Sequence, residues 1–184
     1  MEETALVQRA ARQDAAAWEA LVHEHQQAVF RLAYLFTGDP DEAEDIAQEA
    51  FIRAFRSIEK ADPHRPFRPW VLSITANLAR NRLRGLKRYL AALTRVAMRD
   101  PEAVREARPD PRLDSETRAL WETVRKLSLE DQQVIYLRYF LELPEETAAA
   151  ALGVAQGTVK SRLHRALKRL RERLEAENAE VRRV

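Results

Sequence analysis

The segment from Leu143 to Arg173 constrains the fold more than any other, because it predicts two helices joined by a tight turn. The first helix begins at Pro144, since proline favours the first helical position. It ends at Gly153, which adopts a left-handed conformation without steric cost. The second helix begins near Gln156 and continues to Arg173. Its apolar residues recur at spacings of three and four and predict one buried stripe, made of Val159, Leu163, Ala166, Leu167 and Leu170.

The opposite face of this second helix is polar and cationic. It carries Gln156, Thr158, Lys160, Ser161, Arg162, His164, Arg165 and Lys168. Two helices joined by a glycine-containing turn are typical of the helix-turn-helix motif, whose second helix enters the major groove of DNA with its N-terminal residues. Gly157 supports this hypothesis, because a missing side chain lets the backbone approach a phosphate closely. A helical hairpin with a solvated charged face is the alternative that the pattern leaves open.

Composition excludes several classes of protein. Of the 184 residues only four are glycine and none is cysteine. Apolar residues follow helical spacing almost throughout, which predicts an all-α protein. Without cysteine, neither a disulfide framework nor a thiolate zinc site forms within the chain. No early stretch has the apolar run of a signal peptide, and none is long enough to span a membrane, so we expect a cytoplasmic protein without membrane insertion.

Charge is distributed in blocks, although the net charge is only +2. Residues 1–60 hold 6 basic and 12 acidic side chains, and residues 61–113 hold 12 basic and 5 acidic ones. Residues 114–157 hold 4 basic and 8 acidic side chains, and residues 158–173 hold 7 basic and 1 acidic. Two basic blocks separated by acidic ones indicate two contacts with nucleic acid and an acidic surface for another partner. Ordinary surface charge explains any single block equally well.

The N-terminal part is helical by pattern. Residues 4–36 predict two amphipathic helices, and Asp39 and Pro40 begin another that ends near Ser57, with Asp39 as its cap. Its predicted buried stripe consists of Ala43, Ile46, Ala47, Ala50, Phe51 and Ala54. Another side forms an acidic ridge with a hydrophobic neighbour, made of Asp41, Asp45, Gln48, Glu49 and Ile52. This ridge is either a solvated helix face or a docking surface for a basic helical partner.

Residues 59–69 contain three prolines and predict an ordered loop instead of a helix. The loop offers aromatic and cationic side chains that suit unpaired bases and phosphates, namely His64, Arg65, Phe67 and Arg68. Phe67 is an equally good candidate for a core residue. A helix is predicted from Trp70 to Arg84 or beyond, with inward Val71, Ile74 and Leu78. The same helix carries a polar stripe made of Ser73, Asn77, Arg80, Asn81 and Arg84. This stripe is suited to base edges and phosphates, and a solvated helix face is the alternative.

Prolines and mixed charge in residues 88–113 predict a flexible linker. It separates a domain of residues 1–87 from a second of residues 114–178. Ser128 is predicted to cap a helix in the second domain. The packing residues predicted around that cap are Leu120, Trp121, Val124, Leu127, Val134, Ile135, Leu137, Tyr139 and Phe140.

Two groups of residues resemble the ECF (extracytoplasmic-function) sigma factors of bacterial RNA polymerase. DEAEDIAQEAFIRAFRSI, followed by FRPWVLSITANLARNRLR, is similar to sigma region two. LSLEDQQVIYLRYFLEL and LGVAQGTVKSRLHRALKRLRERL are similar to sigma region four, and GTVKSRLHRA is a highly specific match. The chain departs from the family pattern at Pro144, where a capping serine is usual, at Thr147-Ala148, which replaces a typical Glu-Ile, and at Ala155, a poor cap.

The resemblance implies roles for the patterned residues. Core RNA polymerase would bind Asp41, Asp45, Gln48, Glu49, Phe51 and Arg53. The minus-ten element, melted to expose its non-template strand, would contact His64, Arg65, Phe67, Arg68, Trp70, Asn77, Arg80, Asn81 and Arg84. The minus-thirty-five duplex would contact Gln156, Thr158, Lys160, Ser161, Arg162, His164, Arg165 and Lys168. The family also leads us to expect an anti-sigma factor that clamps the two domains.

Two other classes of function are alternatives to a sigma factor. A helix-turn-helix regulator acting without polymerase would use residues 114–173 but leaves the acidic helix of residues 40–57 without a role. An enzyme lacks support, because the sequence has no Ser/His/Asp cluster, phosphate-binding glycine loop or metal-ligand spacing. We therefore expect no catalytic residues, no cofactor and no metal, with the polymerase carrying out the chemistry.

Overall fold

The computed structural model describes residues 3–60, 66–96 and 115–181, which form helices and no β-strand. The chain divides into two compact units, Met1–Arg108 and Pro109–Val184. This confirms an all-α fold of two helical domains. Among the described helices, none is long and apolar enough to cross a membrane.

The first unit is built around its second helix. Its elements are α1 (Glu3–Ala11), α2 (Ala15–Thr37), α3 (Pro40–Ser57), a 3₁₀ turn (Ile58–Lys60) and α4 (Phe67–Val96). Helix α2 packs against α1, α3 and α4, so it lies at the centre of the unit. The largest buried side chains of this core are Leu21, Val29, Leu32, Phe36, Ile58, Phe67, Val71 and Leu72.

Local signals define the junction between α2 and α3. Gly38 ends α2 in the left-handed region at φ 66° and donates its backbone N–H to the carbonyl of Tyr34. Asp39 then caps α3 by accepting hydrogen bonds from the backbone N–H groups of Asp41 and Glu42 at 3.0 and 3.1 Å. The predicted cap is confirmed, and it fixes the direction in which α3 leaves α2.

Helix α4 begins earlier than predicted and, in agreement with the prediction, extends past Arg84. It begins at Phe67 instead of Trp70, because Pro69 lies in the first turn, where a backbone N–H has no helical partner to lose. It continues to Val96, into the segment that the sequence analysis assigned to the linker. The buried face is also rotated relative to the prediction. Ile74 and Leu78 are only half-buried, while the core side consists of Val71, Leu72, Thr75, Ala76 and Ala79.

The second unit is organised around its last helix. Its elements are α5 (Ser115–Arg125), α6 (Leu129–Ile135), a π-helical turn (Tyr136–Phe140), α7 (Glu145–Leu152) and α8 (Gln156–Val181). Helix α8 packs against α5, α6 and α7. Ser128 caps α6 through the N–H of Asp131 at 3.2 Å, as predicted. Pro144 precedes α7 as its cap residue instead of lying inside it, and it supplies no side-chain hydrogen bond.

The π-helical turn contains two neighbouring aromatic residues that were both predicted to pack. Tyr139 is 57% exposed, so its prediction is wrong. Phe140 is 39% exposed, yet its ring lies 5.0 Å from that of Trp121 and 5.7 Å from that of Tyr136, so it packs as predicted. A π turn holds more residues than an α turn, so it shifts the later side chains out of the 3.6-residue pattern. Leu120, also expected to pack, is 40% exposed.

Candidate nucleic-acid and protein interfaces

Helix α3 presents an exposed stripe that we call the α3 ridge, made of Asp41, Asp45, Gln48 and Ile52. Spacings of four, three and four place these side chains on one face, and all four are exposed. Ile52 is 45% exposed, so the ridge combines two carboxylates with an uncovered apolar side chain. Such a surface suits a basic helical partner that also offers an apolar contact.

Two further residues predicted for the same interface are paired with each other. Nε of Arg53 lies 2.6 Å from a carboxylate oxygen of Glu49, one helical turn away. The pair is partly exposed and its charges offset one another, so the net negative charge of the face comes from Asp41 and Asp45 together with the exposed Glu44, whose carboxylate accepts from Gln48 at 3.4 Å. Phe51 is half-buried, and its ring meets Trp18 edge-on at 6.2 Å.

Phe67 is a core residue, which corrects its prediction as a loop residue at the DNA surface. Its side chain is 1% exposed, so no base reaches its ring. The ring lies 6.1 Å from Trp18, 5.3 Å from His25 and 5.5 Å from Trp70. Aromatic contacts of this kind add to the energy of burial. Phe67 therefore anchors the start of α4 from behind.

The buried His25 is part of the same cluster. Its Nε2 lies 3.0 Å from a carboxylate oxygen of Glu3 on α1. Burial lowers the pKa of His25, and the neighbouring carboxylate of Glu3 opposes that shift. His25 lies on α2 and Phe67 on α4, so no local sequence pattern predicts their contact.

The polar stripe of α4 is at the surface as predicted. Asn77, Asn81 and Arg84 are exposed, and Arg80 is half-buried. The guanidinium of Arg80 donates a hydrogen bond to the side-chain carbonyl of Asn77, which leaves the amide N–H₂ of Asn77 to meet a base edge. At the start of the helix Arg68 is exposed and Trp70 half-buried. The predicted DNA contacts His64 and Arg65 lie outside the described residues.

The turn between α7 and α8 has the geometry of a helix-turn-helix. Gly153 is in the left-handed region at φ 66° and donates to the carbonyls that end α7. Beyond it, Val159, Ala166 and Leu170 are buried, and Leu163 and Leu167 are half-buried. This confirms the predicted stripe. Gly157 is exposed, with no atom within 4 Å of the position that a Cβ would take.

The polar face of α8 is open to solvent. Thr158 and Arg162 are half-buried at its flank. Arg165 donates from Nε to the carbonyl of Ser161 at 3.2 Å, which directs that guanidinium along the helix. The remaining predicted contacts are exposed, namely Gln156, Lys160, Ser161, His164, Arg165 and Lys168.

Comparison with known proteins assigns both units. Residues 21–99 match the family Sigma-70 region 2, and residues 117–170 match Sigma-70, region 4. The ECF RNA polymerase sigma factor SigL of Mycobacterium tuberculosis is 33% identical over 168 residues, which cover 91% of this chain and 94% of SigL. The chain belongs to the ECF RNA polymerase sigma factors. The sigma factor SigE of Mycolicibacterium smegmatis is 36% identical, covering 89% of this chain and 64% of its own length.

Solved structures have the same fold. CnrH, in complex with the cytosolic domain of CnrY, is 26% identical with a TM-score of 0.70, covering 95% of this chain and 97% of that chain. The sigma factor RpoE, in complex with the anti-sigma factor NepR from Bartonella quintana, is 23% identical with a TM-score of 0.65. That match covers 85% of this chain and 96% of RpoE. The resemblance inferred from the sequence motifs is thus confirmed.

Two polar links within the second unit of this sigma factor escaped the sequence analysis. Nη1 of Arg169 on α8 lies 2.6 Å from a carboxylate oxygen of Asp131 on α6. Glu177, near the end of α8, accepts hydrogen bonds from Thr123 of α5 at 2.8 Å and from Lys126, the residue after α5, at 2.9 Å. The partners are 38 residues or more apart in sequence, so no local pattern predicts them.

The hydrogen bonds that Lys126 and Thr123 donate lower the pKa of the Glu177 carboxyl below its ordinary value.

Within the described ranges, no group of three or more metal-ligating side chains comes together.

Proposed function

We propose that this sigma factor divides its contacts among three surfaces. The α3 ridge binds core RNA polymerase, the exposed stripe of α4 engages the minus-ten element, and the polar face of α8 binds the minus-thirty-five element. The observation that carries this proposal is α8 itself. A cationic face lies opposite the buried stripe of Val159, Ala166 and Leu170, directly after a left-handed glycine turn.

The role of α8 is supported by the character of its first turns. Gly157 leaves open space where a side chain would stand, so a phosphate can approach the backbone at the start of the helix. Arg165 and Lys168 project from the exposed face two and three turns later. Arginine and lysine bind phosphates, and arginine also pairs with guanine in the major groove.

The role of α4 is supported by how its start is anchored. Buried Phe67 fixes the first turn, and half-buried Trp70 leaves part of its ring available for stacking. Asn77 presents its amide to solvent, with Arg80 holding the carbonyl side. A fixed polar edge beside cations suits the junction between duplex and melted strand, where an unpaired base must be held.

The role of the α3 ridge is supported by its charge and its exposed Ile52. Because Glu49 is offset by Arg53, the attraction for a basic partner comes from Asp41 and Asp45, with the exposed Glu44 beside them. Ile52 supplies apolar area that is 45% exposed before binding. Charge complementarity of this kind raises the association rate and selects the partner.

An anti-sigma factor is proposed as a regulator that binds this chain in the cytoplasm. The supporting observation concerns a relative of the same fold, the sigma factor RpoE, which was solved in complex with the anti-sigma factor NepR. In this proposal the chain performs no bond chemistry, which belongs to the polymerase. The promoter contacts are made by the sigma factor.

The polymerase-binding role is tested by reversing one ridge charge. Asp45→Arg is expected to weaken binding to core RNA polymerase by tenfold or more, because it replaces attraction by repulsion, as in charge pairs worth roughly 1.5–7 kcal/mol. The measurement is a titration of labelled full-length chain with core enzyme. Glu19→Arg, which reverses an exposed acid on α2, is the matched control and is expected to bind normally.

Unchanged affinity of Asp45→Arg would remove the α3 ridge from the polymerase interface. If the wild-type chain itself fails to bind core enzyme but binds duplex DNA, the alternative regulator that acts without polymerase replaces the proposal.

A further inference from the structure

The basic block of α8 contains one arginine that is turned toward its own domain. Nη1 of Arg169 lies 2.6 Å from Oδ2 of Asp131, which belongs to the first turn of α6. The Asp131 side chain is 4% exposed and that of Arg169 is 53% exposed. Arg169 lies within the basic block of residues 158–173, but the geometry gives it an intramolecular partner.

The carboxylate of Asp131 is buried and therefore requires a positively charged partner. A buried charge is costly unless a partner offsets it, and removing one partner leaves the other uncompensated. If Arg169 left Asp131 to bind a DNA phosphate, the buried carboxylate of Asp131 would lose its partner and the domain would be destabilised. Lys168, the neighbouring cation, faces no such constraint, because its Nζ lies 3.8 Å from Glu172 in a pair whose side chains are 71% and 60% exposed.

Position on the helix connects this pair to base recognition. Arg162 precedes Arg169 by seven residues, which is nearly two full turns, so both project from the same flank of α8. Arg162 is half-buried at that flank. The ion pair of Arg169 therefore holds α8 in one rotational position about its axis. Because Arg162 lies on the same flank, the pair also fixes the direction of Arg162. The apolar stripe of α8 holds the helix against its domain, and the pair with Asp131 adds a directional polar contact at the flank of that stripe.

We propose that Arg169 is a positioning residue. Through its ion pair with Asp131 it sets the rotation of the recognition helix, and so the direction of Arg162 and Arg165, without itself binding a phosphate. This inference rests on the proposed DNA-binding role of α8. It assigns opposite functions to two adjacent cations, since Lys168 contacts the DNA backbone and Arg169 aligns the helix.

The test compares Arg169→Met, Asp131→Asn and Lys168→Met in the full-length chain reconstituted with core polymerase. The probe is a promoter duplex selected by the wild-type complex from a random-sequence pool. Affinity is measured over a series of salt concentrations and on single-base variants of the upstream element. Each neutralised phosphate contact contributes about 0.9 to the slope of log affinity against log salt.

For Lys168→Met we expect weaker binding, a slope reduced by about 0.9 and unchanged base preference. For Arg169→Met we expect a loss of roughly tenfold, the effect of one impaired base contact, with the wild-type slope and a relaxed base preference. Asp131→Asn is the sharpest variant. It removes a negative charge from a DNA-binding domain, so simple electrostatics predicts equal or tighter binding, whereas a positioning role predicts the same loss as Arg169→Met. The double variant Asp131→Asn/Arg169→Met should lose no more affinity than Asp131→Asn or Arg169→Met alone.

A slope reduced in Arg169→Met as much as in Lys168→Met, with Asp131→Asn binding normally, would make Arg169 a phosphate contact and overturn the proposal. Should Arg169→Met fail to fold because it leaves the buried Asp131 carboxylate without a partner, the slope and base preference of Asp131→Asn and of the double variant Asp131→Asn/Arg169→Met decide, since neither carries that buried charge. If Lys168→Met and Arg165→Met both bind normally, α8 does not contact DNA, and the proposed function of α8 and this inference fail together.

Discussion

The two units hold their proposed DNA-binding helices by different means. In the first unit α4 starts at a fully buried phenylalanine, Phe67, which lies among Trp18, His25 and Trp70. In the second unit α8 packs through Val159, Ala166 and Leu170 and is also tied by polar groups, through Asp131 to α6 and through Glu177 to Thr123 of α5. An aromatic anchor is held mainly by burial of apolar area, whereas partly exposed ion pairs weaken as the salt concentration rises.

The packing of α7 sharpens this contrast. Its buried residues are all alanines, Ala148, Ala149 and Ala151, so the first helix of the helix-turn-helix contributes little apolar area. Pro144 adds no side-chain cap at its start. The second unit therefore depends on its turn and its polar links more than the first unit does. The following predictions test this difference from the largest effect to the smallest.

Phe67→Ala is expected to destabilise the first unit by about 3–5 kcal/mol, since it empties the centre of the aromatic cluster. The measurement is urea unfolding followed by tryptophan fluorescence in a Trp121→Phe background, so that Trp18 and Trp70 report. Ile52→Ala is the control on the α3 ridge and should stay within about 0.5 kcal/mol of the parent. A loss below about 1 kcal/mol for Phe67→Ala would mean that the ring is not the anchor of α4.

Gly153→Ala is expected to destabilise the second unit by about 1–2 kcal/mol, because alanine at φ 66° is strained. Hydrogen exchange of amides in α7 and α8 measures the loss. Gly157→Ala is the matched control, since its added Cβ meets open space and alanine favours a helix by up to about 1 kcal/mol. Equal exchange in both variants would show that the turn geometry does not limit stability.

Gly157→Ala also separates stability from recognition. Its fold should be as stable as the parent or more so, while its affinity for the upstream duplex should fall, because the new methyl group stands where a phosphate approaches. Normal affinity in the same binding assay would remove the close backbone approach from the account.

Glu177→Gln is expected to have the smallest effect, no more than about 1 kcal/mol, because the Glu177 side chain is 38% exposed. The lowered pKa of Glu177 means that the folded unit binds its proton less readily than the unfolded chain. Its stabilisation is therefore present above the ordinary glutamate pKa and is lost as pH falls through the folded value.

The variant should reduce protection of α5 and α8 at neutral pH and differ less from the parent in acid. Comparing both proteins at each pH cancels the intrinsic exchange rates. Glu172→Gln, which removes a more exposed acid on α8, is the control. An equal deficit at neutral and acid pH would contradict a contribution from the charged carboxylate.

Signals within a few residues predicted much of this structure. The caps Asp39 and Ser128 and the left-handed Gly153 each act on neighbouring backbone groups, so the sequence identifies them. Burial of Phe67 depends on Trp18 and the pairing of Arg169 on Asp131, and in each case the partner lies on another helix. The sequence pattern supplied two alternatives for Phe67, and only tertiary packing separates them.

The same limit applies to the proposed interfaces. Helical periodicity predicted the exposure of the α3 ridge and of the polar face of α8, because it separates the apolar face of a helix from the polar face opposite to it. The pairing of Glu49 with Arg53 is also at helical spacing, but local spacing does not decide between that pair and a contact with a partner. The π-helical turn interrupts the period and moved Tyr139 to the surface.

The most direct test asks whether the two units act at different steps of promoter engagement. Permanganate reactivity of thymines in the minus-ten region measures opening, and a binding assay on the same fragment measures the closed complex. The comparison uses Asn77→Ala from the first unit and Arg165→Met from the second, each assembled with core polymerase.

Asn77→Ala is expected to bind nearly normally but to leave the thymines unreactive, and a pre-melted bubble template should restore its transcription. Arg165→Met should lose closed-complex binding, and the bubble should not restore it, because its contact lies in duplex DNA. Normal opening by Asn77→Ala, or the same response of both variants to the bubble, would contradict the division of labour between the units.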